Sequence, residues 1–186
     1  SGVEVAQLLR EPSLGTEEGL LALLRASHRL LNVDPARLRE IANGVLEAPE
    51  VSAARTNAVV VVALRERANA LRRTGDLPGS LASIERGREV AQRLVVFEHE
   101  LAIFDYIEAC VNVDQSRPEA ARALGTKALA VFSRFGDKRR ALYARLLLAA
   151  LDDQSGKLEQ ARSVFRSLAD EFAAMGDEAS AVGAIQ

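Results

Sequence analysis

The residues best suited to nucleophilic catalysis or metal binding are one cysteine and two histidines. Cys110 has no histidine near it in the sequence, and His28 and His99 lack the spacing of a zinc finger or ribbon. Neither histidine has a serine or cysteine and an acid at a recognisable spacing, so an activated nucleophile is not indicated. His28 lies among leucines and His99 lies beside a predicted turn, which favours structural roles. We therefore expect no enzymatic activity, no metal and no cofactor.

Two short basic clusters are the next candidates. Arg72 and Arg73 fall at the end of a predicted helix, where the helix dipole favours cations. The Lys-Arg-Arg cluster at 138–140 falls at a helix start, where cations are unfavourable, and this predicts contact with an acidic partner. The net charge of −2 and the absence of longer basic runs argue against nucleic acid. Gly15 and Gly19 follow no strand, so no phosphate-binding loop is indicated.

Length and composition limit the architecture and the compartment. The 186 residues suit one domain, or four to five repeats of about forty residues. No apolar run approaches the length of a membrane span and no signal peptide opens the chain, so we expect no membrane association. A lone cysteine forms no internal disulfide, which favours a cytoplasmic location. The start at Ser1-Gly2 indicates a fragment of a longer protein, and the excess of Arg over Lys indicates a bacterial source.

An internal repeat organises the chain. Residues 119–144 recur forty residues later as residues 159–184. The matching pairs are Glu119/Glu159, Ala121/Ala161, Arg122/Arg162, Phe132/Phe172, Gly136/Gly176, Asp137/Asp177, Ala141/Ala181 and Ala144/Ala184. A period in this range predicts an array in which each unit packs against its neighbours and not around one central core.

Capping and breaker residues predict where the helices lie. Thr16 and Asp34-Pro35 are helix starts, and the Gly-Asp pairs at 75–76, 136–137 and 176–177 separate helices. The β-branched run at 59–62 continues into apolar residues at helical spacing, so we expect a helix there and not a strand. The predicted hairpins span about 17–47, 53–95, 97–135 and 137–175, with short terminal helices at 3–10 and 177–186. The turn near 94–98 follows from the period alone.

Small and apolar residues of the predicted hairpins follow a known spacing. In the second hairpin they are Ala68, Leu71, Gly75, Leu77, Ser80, Ile84 and Gly87. In the fourth they are Ala149, Gly156, Leu158, Ala161 and Phe165, and in the third Ala109, Ala121 and Ala128, with Ser116 at the turn. This pattern resembles the tetratricopeptide repeat. The resemblance implies an all-α, right-handed α-solenoid of antiparallel helix hairpins, with about eight main helices in a single domain over residues 1–186.

The resemblance also implies a binding groove lined by the first helix of each hairpin. The residues expected to contact a partner there are Arg65, Asn69, Arg72, Arg73, Tyr106, Cys110 and Tyr143. Arginines would bind acidic groups, and tyrosines would supply contact area. The implied occupant is a protein or peptide segment in an extended or helical conformation.

The forty-residue period is similar to the long-period repeats found in arms of large bacterial regulators and signalling proteins. That similarity implies a scaffold or regulatory arm that mediates protein–protein interaction. The alternative is a sensor domain that binds a ligand or peptide and controls an attached output domain. The oligomeric state is open, because an uncapped terminal repeat could stack on a second copy.

Overall fold

A computed structural model describes residues 2–95, 97–177 and 180–181. No strand occurs among these residues, and the prediction of an all-α helical-repeat fold is confirmed. The helices are α1 (Gly2–Leu8), α2 (Glu17–Ser27), α3 (Pro35–Glu47), α4 (Asn57–Arg73), α5 (Leu77–Ala91), α6 (Phe97–Asp114), α7 (Pro118–Arg134), α8 (Lys138–Gln154) and α9 (Leu158–Ala174). Short 3₁₀ helices span Pro12–Leu14, His28–Asn32 and Pro49–Ala54.

Contacts within the chain define two compact units, residues 1–107 and residues 108–186, which we call unit 1 and unit 2. The boundary falls inside α6. In unit 1, α4 packs against α3 and α5, and in unit 2, α8 packs against α7 and α9. The helices thus contact their neighbours in the sequence, as in a repeat protein. The single domain predicted over residues 1–186 stays a prediction.

Five of the connections between helices share one turn geometry. In each, a residue with positive φ follows the helix, and the next amide donates to the carbonyl five residues before it. The positive-φ residues are Gly75, Gly136, Gly156 and Gly176, with Ser116 at the same place in the α6–α7 turn. In unit 2 the accepting carbonyls belong to residues 112, 132, 152 and 172. The forty-residue sequence repeat therefore consists of two helix–turn units of twenty residues.

The first hairpin is less regular than the prediction. Within the hairpin predicted over 17–47, α2 ends at Ser27 and the chain continues as 3₁₀ helix over His28–Asn32. The helix predicted from about residue 53 begins at Asn57, because Thr56 caps it by accepting from the amide of Val59. The predicted turn near 94–98 lies between α5 and α6. Most of the predicted helix at 177–186 lies outside the described residues.

Two glycines lie where neighbouring helices approach each other closely. A Cβ on Gly87 of α5 would lie 2.1 Å from Cζ of Phe104, a fully buried ring of α6. A Cβ on Gly125 of α7 would lie 3.0 Å from Cδ2 of Leu147 in α8. Both glycines let a neighbouring helix approach, at the cost of about 1 kcal/mol in helix propensity.

Candidate binding face on α4 and α6

Three of the predicted binding residues form a stripe along α4. Arg65, Asn69 and Arg72 are four and three residues apart, so they share one side of the helix. All three are partly buried, and Arg73 is exposed at the end of the same helix. Nine of the other side chains of α4 are buried. These three residues form a partly buried polar strip on a helix that is otherwise largely enclosed, and we call it the α4 stripe.

Arg65 is already engaged inside unit 1. Its side chain is only 11% exposed, and its Nε donates to Oε1 of Glu66 at 3.2 Å. Its guanidinium also reaches Oε2 of Glu100, on α6, at 3.5 Å. The other oxygen of Glu66 lies 2.6 Å from Nδ1 of His28. These four side chains form a polar chain from the 3₁₀ helix at His28–Asn32, through α4, to α6.

Glu66 is the buried centre of this polar chain, with a side chain 1% exposed. Burial by itself raises the pKa of the carboxyl. Hydrogen bonds and charge from His28 and Arg65 outweigh that effect and hold the pKa of Glu66 below its ordinary value. Glu66 is therefore an ionised carboxylate that neutralises Arg65.

Tyr106 lies on the part of α6 that belongs to unit 1, and it is partly buried. The contact between Arg65 and Glu100 shows that α6 passes beside α4. Since α5 connects them through two short loops, α4 and α6 run in the same direction, which places Tyr106 at about the level of Arg72. Tyr106 therefore lies at about the level of the basic end of the α4 stripe, on a different side of α6 from Glu100.

The other two predicted binding residues belong to unit 2. Cys110 is partly buried on α6. Tyr143, on α8, donates its hydroxyl to Oδ2 of Asp177 at 2.8 Å and lies 3.0 Å from Oγ of Ser180. Its ring centroid is 5.1 Å from that of Phe172. The hydroxyl of Tyr143 therefore holds the chain after α9.

The basic cluster at 138–140 is largely neutralised within unit 2. Arg140 pairs with Asp137 at 2.5 Å, and Arg139 pairs with Asp177 at 3.1 Å. Burial raises the pKa of Asp177, but hydrogen bonds from Tyr143 and Ser180, with the charge of Arg139, bring it below its ordinary value. Two of the three cations thus have partners in the chain, and the third, Lys138, is exposed. The predicted contact with an acidic partner stays a prediction.

Glu66 and Asp177 are the site residues that sequence reasoning missed. Glu66 shares one side of α4 with Val59, Ala63 and Ala70, all fully buried. An acidic residue on the apolar side of a predicted helix needs a buried partner, and that signal could have found it. Asp177 was predicted as a helix start, which agrees with its acceptance of the Ser180 amide, but its contact with Tyr143 has no local signal.

Unit 2 also has a shallow depression of about 490 Å³ between the start of α7 and the end of α8. Its lining residues are Pro118, Glu119, Arg122, Ala123, Thr126, Leu151 and Ser155, and none of the predicted binding residues is among them. Within the described parts of the chain, no group of side chains has the makings of a metal site. None of the helices described there is long and apolar enough to cross a membrane.

The fold defines the class of protein as an all-α helical repeat, and the α4 stripe with Tyr106 is its candidate binding face. No protein-family model, no curated protein and no solved structure matches the chain.

Proposed function

We propose that this protein is a tetratricopeptide-like module that binds a protein or peptide segment, as a scaffold or regulatory arm of a larger cytoplasmic bacterial protein. The observation that carries the proposal is the α4 stripe. Helix α4 buries nine of its 17 residues, yet one side stays partly open and carries Arg65, Asn69 and Arg72. A repeat surface of this kind suits recognition of an extended partner.

The side chains of the face have different roles in this proposal. Arg72 and Arg73 bind carboxylates of the partner through charge-assisted hydrogen bonds. Asn69 offers a donor and an acceptor to a backbone amide. Tyr106 supplies apolar contact area and a hydroxyl. Arg65 acts as a positioning residue, because its ion pairs with Glu66 and Glu100 join α4 to α6. No catalytic step, metal or cofactor is needed.

Charge reversal at the end of the α4 stripe tests the proposal. A partner is captured on the wild-type protein, and its affinity is then measured by titration calorimetry for Arg72→Glu/Arg73→Glu and for Tyr106→Ala. We expect each variant to bind at least about tenfold more weakly. Arg65 is left unchanged, because its replacement would also disturb the buried Glu66.

The matched control is Arg86→Glu/Arg93→Glu, which makes the same charge change at exposed positions on α5 and just after it. This control should bind like the wild type. Equal affinity of all variants, or equal weakening by the control, would show that the α4 stripe is not the binding face.

A further inference from the structure

The five equivalent turns differ in the residue that precedes the positive-φ position. At the turns inside hairpins this residue is polar: Thr74, Gln115 and Ser155. At the two turns that follow second helices it is Phe135 or Met175. The backbone hydrogen bonds are the same in all five, so the turn itself does not require an apolar side chain.

Phe135 and Met175 lie at the same end of unit 2. Short turns connect α8 to α7 and to α9, and both helices pack against α8. Both are therefore antiparallel to α8 and end where α8 begins. Lys138, the first residue of α8, therefore lies at that end as well. We call Arg134, Phe135, Lys138 and Met175 the exit end of unit 2.

The two apolar side chains of the exit end remain open to solvent. Phe135 is 44% exposed and Met175 is 45% exposed. The guanidinium of Arg134 lies 5.4 Å from the centre of the Phe135 ring, a cation–π contact that leaves much of the ring accessible. Forty residues before Phe135, in the corresponding connection of unit 1, Val95 is 99% exposed. Apolar exposure at this register is thus a repeated property, and exposed apolar groups rimmed by polar ones mark interaction sites.

The charge at the exit end points to the chemistry of the partner. Segments 134–140 and 175–177 contain four cationic and two acidic side chains. Both acids already accept from arginines of the same end, Asp137 from Arg140 and Asp177 from Arg139. The surface is therefore positive around its apolar side chains and complements an acidic segment.

We propose that the exit end of unit 2 docks an acidic, amphipathic segment of a partner protein. Its apolar side chains contact Phe135 and Met175, and its carboxylates contact Lys138 and Arg134. A protein segment fits better than an anionic membrane, because two of the four cations are already paired with Asp137 and Asp177, whereas electrostatic binding to anionic lipid takes a cluster of about four to eight Lys or Arg side chains. This surface is separate from the α4 stripe and requires no groove.

The test is selection of short random peptides displayed on phage against the full chain, with counter-selection on Phe135→Ser/Met175→Ser. Serine occupies the same turn position at Ser155, so the variant should keep its circular dichroism and thermal midpoint. We expect enriched peptides to combine Asp or Glu with Leu, Ile or Phe. Their affinity should fall at least about tenfold in the double variant and also fall in Lys138→Glu.

The matched control is Leu158→Ser, which removes a side chain that is 48% exposed at the opposite end of unit 2. It should leave the affinity unchanged. Four results would overturn the proposal: enrichment of basic or uncharged peptides, an equal loss in Leu158→Ser, vesicle binding that depends on Phe135 with phosphatidylserine present, or self-association that the double variant abolishes. Peptides whose affinity depends only on Arg72 and Arg73 would contradict this proposal and would support the α4 stripe as the binding face.

Discussion

Helices α4 and α8 are both first helices of hairpins and both contain 17 residues, yet their surroundings differ. Helix α4 buries nine side chains, one of them Glu66, whereas α8 buries four. In unit 1, α4 contacts α2 and α3 as well as α5. In unit 2, the face of α8 that carries Tyr143 holds the chain after α9. Equivalent positions in the repeat therefore make different contacts, because the neighbouring elements determine which side chains stay exposed.

The ion pairs of the two units show the same contrast. In unit 1, Glu66 is almost fully buried between His28 and Arg65. In unit 2, the pair between Arg162 and Glu159 leaves the two side chains 62% and 89% exposed. A buried charge that loses its partner is costly, whereas exposed pairs contribute little to stability. Substitutions in the two units should therefore differ in effect.

The largest difference is expected for removal of the acids themselves. Glu66→Ala leaves the mostly buried Arg65 without its nearest carboxylate and opens a gap in α4, so we expect a loss of about 3 kcal/mol in the free energy of unfolding. Glu159→Ala is the matched change in unit 2 and should cost less than about 0.5 kcal/mol. Urea denaturation followed by circular dichroism measures both. Similar losses of unfolding free energy in the two variants would contradict the expected difference between the buried and the exposed ion pair.

The advantage of Glu66 over a neutral isostere should depend on pH. The folded pKa of Glu66 lies below its ordinary value of 4.5, so its contribution is present above that value and is lost as the pH falls through the folded pKa. The difference in unfolding free energy between wild type and Glu66→Gln should therefore be largest near neutral pH and shrink below pH 4.5. A difference that stays constant down to acid pH would show that the charge of Glu66 contributes nothing.

Helix packing offers the next comparison. In Gly87→Ala of unit 1, the new Cβ would overlap the buried ring of Phe104, and we expect a loss of about 2 kcal/mol. In Gly125→Ala of unit 2, the new Cβ meets the flexible ends of the Leu147 and Leu148 side chains, and a gain of about 1 kcal/mol in helix propensity offsets these contacts. Thermal unfolding should show a clear decrease for the first variant and little change for the second. Equal decreases in the thermal midpoint would mean that the two helix pairs are equally closely packed.

The turns test how regular unit 2 is. Ser116 has φ of 55°, a backbone conformation that glycine adopts without strain in the other four turns. Ser116→Gly should therefore raise the free energy of unfolding by about 1 kcal/mol. Gly156→Ser, the reverse change in the equivalent turn forty residues later, should lower it by a similar amount. Changes of opposite sign in the free energy of unfolding would support the equivalence of the two turns. Destabilisation by both substitutions would contradict it.

The smallest effect is expected at the end of unit 2. Tyr143→Phe keeps the ring against Phe172 but loses the hydrogen bond to Asp177, which should cost about 0.5 kcal/mol. The consequence is local, because the amides of Ser180 and Ala181 both donate to Asp177. Hydrogen exchange at these two amides should become faster, while exchange in α7 stays the same. Unchanged exchange at both would show that Tyr143 does not hold this segment.

Much of the helix layout could be predicted from local signals. The Gly-Asp pairs at 75–76 and 136–137 and the cap at Asp34 placed helix boundaries within a few residues, because turns with positive φ and side-chain caps have strong residue preferences. The connection after α5 lacks such a glycine, and only the period located it. Thr56 shows the limit of such signals, because it caps α4 although that helix was predicted to begin at about residue 53.

The polar chain could not be predicted, because its contacts link residues far apart in the sequence. His28 and Glu66 are 38 residues apart, and Tyr143 and Asp177 are 34 residues apart. Each contact depends on how one hairpin packs on the next, which local spacing does not specify. Of the predicted binding residues on α4 and α6, Arg73 is exposed and the others are partly buried. Arg65 and Tyr143 make contacts within the chain.

Site-specific photo-crosslinking can show whether the α4 stripe contacts a partner protein. A benzophenone amino acid replaces Asn69 on the stripe or, as the control, the exposed Ala82 on α5. With the captured partner bound, we predict a crosslink from position 69 and none from position 82. A crosslink from position 82 with none from position 69 would contradict the account.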